Sequence, residues 1–358
     1  MPRLTLFQWL GLFAGASVAA GQVTYELVHE FERPGAQPLG PLVLHADGSY
    51  YGTTVSGGRL DRGAVYRVTA AGAVSTLAAL DGETLGSEPV AGLVEGPGGE
   101  LFGTASTGGA NGFGTVFKVT TGGAVTKLVD FTGAGGPARG SVPGELVLHA
   151  DGNFYGATRG GGAGNLGTVF RMTPSGAVTT LVEFTGTGGA RPGAEPTGVL
   201  AIVGDSLFGC TRSGGGANHG TVFTVTTSGE WSSMVEFTGS TGSRPGSRPS
   251  SGLLLHSNGA LYGTTERGGA GGFGTVFRLS TSQSPSFDTL HHFDDDEGSQ
   301  PAGRLAEGGD GAIYGVAATG GLEIWGVAYR LTTGGAFSVL AHFSGTEGAV
   351  RGSFPQGG

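Results

Sequence analysis

The sequence predicts an all-β protein, a β-propeller of four-stranded antiparallel blades. Three observations carry that expectation: a glycine-centred element recurs six times at near-constant spacing, each copy holds four short segments of strand character, and no stretch shows a helical period.

The recurrence is read from two glycines. The first follows an aromatic residue and opens a Gly-Thr-like step at Gly52, Gly103, Gly156, Gly209, Gly263 and Gly315. The second opens Gly-Thr-Val-Phe or its equivalent at Gly63, Gly114, Gly167, Gly220, Gly274 and Gly326, 11 residues later in every copy. A proline begins each unit, at Pro38, Pro89, Pro143, Pro196, Pro249 and Pro301, and Pro355 begins what reads as a seventh. The units lie near 38–88, 89–142, 143–195, 196–248, 249–300 and 301–354 within a repeat domain of 21–358.

Each unit divides into four segments. In the fifth these start with Gly252 to Leu255, then Leu261-Tyr262-Gly263-Thr264-Thr265, then Gly274 to Leu279; the fourth type is Leu181-Val182-Glu183-Phe184 in the third unit. β-Branched and aromatic residues fill them, as pleated, half-buried strands require. Asp47-Gly48, Asp151-Gly152 and Asn258-Gly259 mark tight hairpins between the first and second segments, and Thr173-Pro174-Ser175-Gly176 marks one between the third and fourth. Glycine supplies 76 of 358 residues, about a fifth against a usual 7% or so. With apolar residues returning in register, that glycine reads as turn chemistry rather than disorder. Stacked neighbours would cover both faces of each sheet.

The ends carry further expectations. Arg3, the apolar stretch Leu4 to Val18 and the small residues Val18-Ala19-Ala20 form a secretory leader, 1–20, cut after Ala20 or after Gly21, with an uncleaved anchor as the alternative. No cysteine follows the stretch to make a lipoprotein, and no second long apolar run offers a span in the mature chain. Tyr25 to Phe31 resembles a lone fourth segment, and Phe354-Pro355 resembles the opening of another unit. The expectation is therefore a truncated seventh blade shared between the ends, with a six-bladed ring as the alternative.

Charge narrows the partners. Charged residues are 13%, the net charge is -9, and Lys118 and Lys127 are the only lysines, which opposes nucleic acid and a polybasic membrane patch. Cys210, the single cysteine, stands in a column with Thr53, Thr104, Ala157, Thr264 and Val316, so it reads as a small packed residue.

Repeated elements Pro-x-x-Gly-Leu, Asp-Gly-x-(Phe/Tyr)-Tyr-Gly-x-Thr, Gly-Gly-x-x-x-x-Gly-Thr-Val-Phe and Leu-Val-x-Phe together resemble the GloVer repeat of choice-of-anchor tandem-repeat proteins, over nearly everything after the leader. The resemblance implies a bacterial secreted or cell-surface protein. It brings no activity, cofactor or catalytic residue.

Candidate chemistry is weighed column by column. His45, His149 and His256 share one column, where the other copies have Gly96, Ile202 and Gly308. They read as packing or solvent-facing groups, or alternatively as a central ring of imidazoles. Asp294-Asp295-Asp296-Glu297 reads as an exposed acidic turn. It lacks the spacing of a calcium loop, and His291 and His292 fit no zinc pattern, so no metal is expected. Arg159 to Gly164 is a hairpin connection rather than a phosphate loop. No nucleophile-base pair stands out.

Arginines form the most informative set. Connections from the fourth segment to the next first one carry Arg33, Arg139, Arg191, Arg244 and Arg351, and those between segments two and three carry Arg159, Arg212 and Arg267. In an antiparallel meander both kinds of connection emerge on one rim. Phe113, His219, Phe273 and Trp325 adjoin that rim. Arg159, Arg191, Arg212, Arg244, Phe273 and Trp325 are thus the candidate ligand site, suited to carboxylated or stacked sugars; the plainer alternative is bonding to nearby carbonyls and filling of gaps between blades. The expected function is an exported, non-enzymatic scaffold or binding protein, without a cofactor, whose partner is an extracellular glycan or surface protein. The alternative is a polysaccharide lyase or hydrolase with its site at the propeller entrance.

Overall fold

A computed structural model describes residues 37–282, 285–345 and 353–355. The expected leader and the Tyr25 to Phe31 segment lie outside these residues. All regular structure among the described residues is β, in six antiparallel sheets whose strands follow chain order. We number these blades 1 to 6: 43–79, 94–130, 141–183, 194–236, 247–292 and 299–342.

Blade 3 shows how the sequence makes the unit. Its strands are Ser141–Leu148, Phe154–Gly160, Thr168–Met172 and Val178–Glu183. Asp151-Gly152 turns the first hairpin, with Gly152 at φ 80° and the Asp151 carboxylate accepting the Asn153 N–H at 2.9 Å. Pro143 lies inside the first strand, as do Pro196 and Pro301 in blades 4 and 6, rather than ahead of it. That is tolerable because the first strand is an edge of its sheet, where a missing N–H breaks no ladder. In blade 5 the first strand is broken into Ser247–Pro249 and Leu254–Leu255, both paired with the second strand. A register shift follows the third-strand Val or its equivalent in all six blades, a bulge that adds twist between strands three and four.

Alternation along the strands distributes the core. Val169 packs toward blade 4, while its neighbour Phe170, with Met172, packs toward blade 2. The same holds for Val116 and Phe117, and for Val222 and Phe223. Five apolar clusters therefore fill the joints between successive blades rather than the interior of any one. Cys210 lies in the joint of blades 4 and 5 at 1% exposure, and burial pushes its thiol up to about 12.

The two most regular columns form a lock between blades. The residue before each opening proline from Pro89 onward (Glu88, Val142, Glu195, Arg248, Gln300 and Phe354) has φ of 50–58°. Its N–H donates to the carbonyl of Arg62, Phe113, Leu166, His219, Phe273 or Trp325 on the preceding blade. The proline ring then lies against the glycine that starts the preceding blade's third strand. At Gly220 an added Cβ would stand 2.7 Å from Pro249 Cδ and 2.3 Å from the Thr211 carbonyl oxygen, so only glycine fits. Phe354 and Pro355 dock on blade 6 in this same way.

Candidate functional site

The rim formed by the 2–3 loops and the blade-to-blade connections carries the candidate residues. The two kinds of segment are joined there. Gly162 N–H donates to the Gly133 carbonyl at 3.1 Å, and Gly215 and Gly269 repeat the bond to Gly186 and Gly239. The predicted sharing of one rim follows from this.

On that rim the arginines fall into two groups. Arg159 pairs with Glu195 of blade 4 at 2.9 Å. Arg212 makes two parallel 2.8 Å hydrogen bonds to Glu266, which holds the equivalent position of blade 5. These two arginines tie neighbouring blades together. Arg139 likewise pairs with Glu183 at 2.5 Å. The Ala163 N–H, and then the Arg139 guanidinium, hold the Glu183 carboxyl below its usual range against the opposing effect of burial. Arg191 is half-buried and near enough to Glu183 to help lower that carboxyl, Arg244 is exposed, and neither makes an ion pair within 4.0 Å among the described residues. Their backbones are held. The Arg191 and Arg244 carbonyls accept the N–H of Thr185 and Thr238, both at 2.9 Å.

Phe273 and Trp325 are half-buried. Phe273 packs into the joint of blades 5 and 6. Trp325 lies over Gly345 and meets Phe354 edge-on at 5.4 Å. Phe113, in the same column, rests on Gly133 and stays 41% exposed.

The column histidines do not converge. Each Nε2 reaches a turn carbonyl of the next blade: His45 to Gly99 at 3.0 Å, His149 to Gly204 at 3.1 Å, His256 to Gly311 at 3.2 Å. Each Nδ1 accepts the N–H two residues on, from Asp47, Asp151 or Asn258. That pattern defines the neutral Nε2–H tautomer. Burial lowers His45, but the Gly99 carbonyl and then Asp47 and Glu95 outweigh it and leave the group above its usual value. The Ser49 N–H and the Tyr51 hydroxyl bring Asp47 down to about 2, against burial. These latches join blades 1 to 2, 3 to 4 and 5 to 6, so their period is two blades. The imidazole-ring alternative is set aside.

Two further sets lay outside the sequence reading. The residue before each fourth-strand Phe holds the 2–3 loop of its own blade: Asp130, Glu183 and Glu236 accept loop N–H groups at 2.6–2.9 Å, and His292 and His342 do so through Nδ1 at 3.2 Å. A polar residue ahead of that Phe was the available signal. The second set is Arg304 with Glu145, an ion pair between the first strands of blades 6 and 3. Arg304 and Glu145 each occur once in their column, so the column did not announce the pair.

Asp294, Asp295 and Asp296 are exposed, as expected of an acidic turn, and Asp294 caps the Glu297 N–H at 2.8 Å. Beside it, His291 stacks on Phe337 with centroids 3.8 Å apart. Its Nε2 is 3.0 Å from Glu297 Oε2 but off the line of a hydrogen bond. Burial pushes His291 down to about 4 and, with Asp294, raises Glu297. Among the described residues no three His, Cys, Asp or Glu side chains are placed to hold a metal, and no helix is long and apolar enough to cross a membrane.

Solved structures place this arrangement among β-propellers. An ulvan lyase, reported as a new family of polysaccharide lyase, aligns with a TM-score of 0.54 at 12% identity, over 85% of this chain and 84% of that one. A presumed 6-phosphogluconolactonase from Bacteroides uniformis aligns with a TM-score of 0.51 at 14% identity, over 83% and 82%. At such identities the likeness is one of fold. No curated protein sequence matches the chain. The sequence model of the Gloeobacter/Verrucomicrobia repeat matches residues 16–199 and 192–357, nearly the whole length. The chain belongs to the Gloeobacter/Verrucomicrobia repeat family, GloVer.

Proposed function

We propose that this protein is an exported, non-enzymatic binding propeller that holds an anionic glycan on the rim bearing Arg191 and Arg244, at the cell surface or in the medium. The observation that carries the reading is the state of those two guanidinium groups. They occupy equivalent positions on consecutive connections, have no ion pair among the described residues, and belong to a chain of net charge -9. A guanidinium grips a carboxylate through two parallel hydrogen bonds, and two such groups one blade apart suit a chain with repeated acidic units. Arg159 and Arg212 support the rim through their blade-bridging pairs, and Phe273 and Trp325 brace the loops beside it. One propeller of similar fold, the ulvan lyase, is described bound to -[GlcA(1-4)Rha3S]-, an acidic saccharide. Export rests on the leader pattern of residues 1–20.

The test is a glycan array probed with the wild type and with the Arg191→Ala/Arg244→Ala double variant. Acidic glycans should be retained by the wild type, less so with rising salt, and about tenfold more weakly by the variant. Equal binding by a folded variant removes the rim, and no retained glycan removes the ligand class. Released unsaturated or reducing ends in the same samples would replace binding by catalysis.

A further inference from the structure

The 2–3 loop of blade 6, Gly320-Gly321-Leu322-Glu323-Ile324-Trp325, differs from the other five in two independent ways. Leu322 and Ile324 are 75% and 67% exposed, the highest values for large apolar side chains among the described residues. Ile324 also has φ 59°, where the corresponding positions hold Asp61, Gly112, Asn165, Asn218 and Gly272. A β-branched residue is strained in the left-handed region, whereas Asn and Gly enter it readily. This loop therefore accepts both strain and exposure to present an aliphatic side chain.

Its surroundings specify what would cover it. Gly321 N–H donates to the Asp295 carbonyl at 2.7 Å, which fixes the loop against the acidic connection between blades 5 and 6. Asp294, Asp295, Asp296 and Glu323 are exposed around the apolar tip. One connection back on the same rim, between blades 4 and 5, Arg244 and Arg248 are exposed without an ion pair among the described residues. The acidic-apolar corner and the cationic one are thus neighbours, one blade apart.

We propose that this rim is a self-association surface and that a second copy of the chain covers the blade 6 loop. A two-fold axis lying in the plane of the rim and passing over blade 5 exchanges blades 4 and 6. It likewise exchanges the two connections that flank blade 5. Asp294, Asp295 and Asp296 then face Arg244 and Arg248 of the partner subunit, and the same contact occurs twice by symmetry. Leu322 and Ile324 meet the small 2–3 loop of blade 4, Gly215-Gly216-Ala217 of the partner subunit. Apolar tips surrounded by matched charges are the composition of a specific interface, with charge fixing the orientation. This surface goes beyond the glycan reading and shares with it Arg244 and the loop that ends at Trp325, but not Arg191, so loss of glycan retention in Arg191→Ala bears on that reading alone.

Sedimentation equilibrium of the purified protein tests the proposal. The wild type should be dimeric at roughly 100 µM and dissociate with added salt. Ile324→Asn should weaken the dimer at least about tenfold while leaving the melting temperature unchanged or higher, because Asn suits the left-handed backbone that Ile strains. Leu322→Ser should weaken it without that gain. Arg244→Glu with Arg248→Glu should also dissociate it, and adding Asp294→Arg with Asp295→Arg should restore it. A wild type that stays monomeric, or a dimer that none of these changes weakens, overturns the proposal.

Discussion

Acid should loosen the joint between blades 5 and 6, and His291 is the reason. It stands where blades 2, 3 and 4 have the buried Val129, Val182 and Val235, with its ring flat on Phe337 at 3.8 Å and edge-on to Phe293 at 5.0 Å. Burial lowers its pKa from 6.5 to about 4. The unfolded chain thus binds the proton more readily than the folded one, so stability falls as pH drops from about 6.5 to about 4 and levels off below. At about 1.4 kcal/mol per unit the full shift corresponds to roughly 3 kcal/mol, and screening at the solvent-facing edge of the ring reduces this to about 1–2 kcal/mol. Two acids face the ring from the adjoining turn. Asp294 favours the charged imidazole, while Glu297, raised by burial and by Asp294, titrates in the opposite sense and offsets part of the loss. His292 opposes a second positive charge beside it. The assay is urea unfolding followed by tryptophan fluorescence at pH 7.5 and pH 4.5, for the wild type and for His291→Val. The difference between the two proteins cancels the other titrating groups. The wild type should lose about 1–2 kcal/mol more than the variant across that interval. Parallel losses would refute the reasoning.

Three further outcomes test the architecture. Gly220→Ala should cost about 2–4 kcal/mol, from a left-handed φ of 92° plus contact with Pro249 and the Thr211 carbonyl, and a variant melting like the wild type would discount the lock. His149→Ala should cost about 2 kcal/mol by stranding the Gly204 carbonyl and unpacking Tyr155; it should add to His256→Ala, which acts on a different blade pair, so a non-additive double variant would contradict separate latches. Cys210 should react with an aromatic disulfide reagent only on unfolding, so rapid labelling of the native protein would contradict its burial.

Much of this protein was legible without coordinates, because a repeat makes each inference six times over. The strand-turn pattern, the glycine and proline columns, the common rim and the packed Cys210 depend on local chain geometry and on period-two alternation, which neighbouring residues express directly. The structure supplied what the columns could not. Arg159, Arg212, Arg191 and Arg244 look alike in sequence, yet the first two are bound to Glu195 and Glu266 and the last two are not. Phe273 and Trp325 share a column, yet Phe273 packs into the joint of blades 5 and 6 while Trp325 meets Phe354. The histidines alternate with other residues along their column, but the partner of each is a carbonyl about 55 residues away, and Arg304 finds Glu145 from 159 residues away. A repeat column states which residue type stands at each turn of the ring. Whether that side chain meets a partner or solvent is decided by the adjoining blade, because every blade's faces are completed by its neighbours.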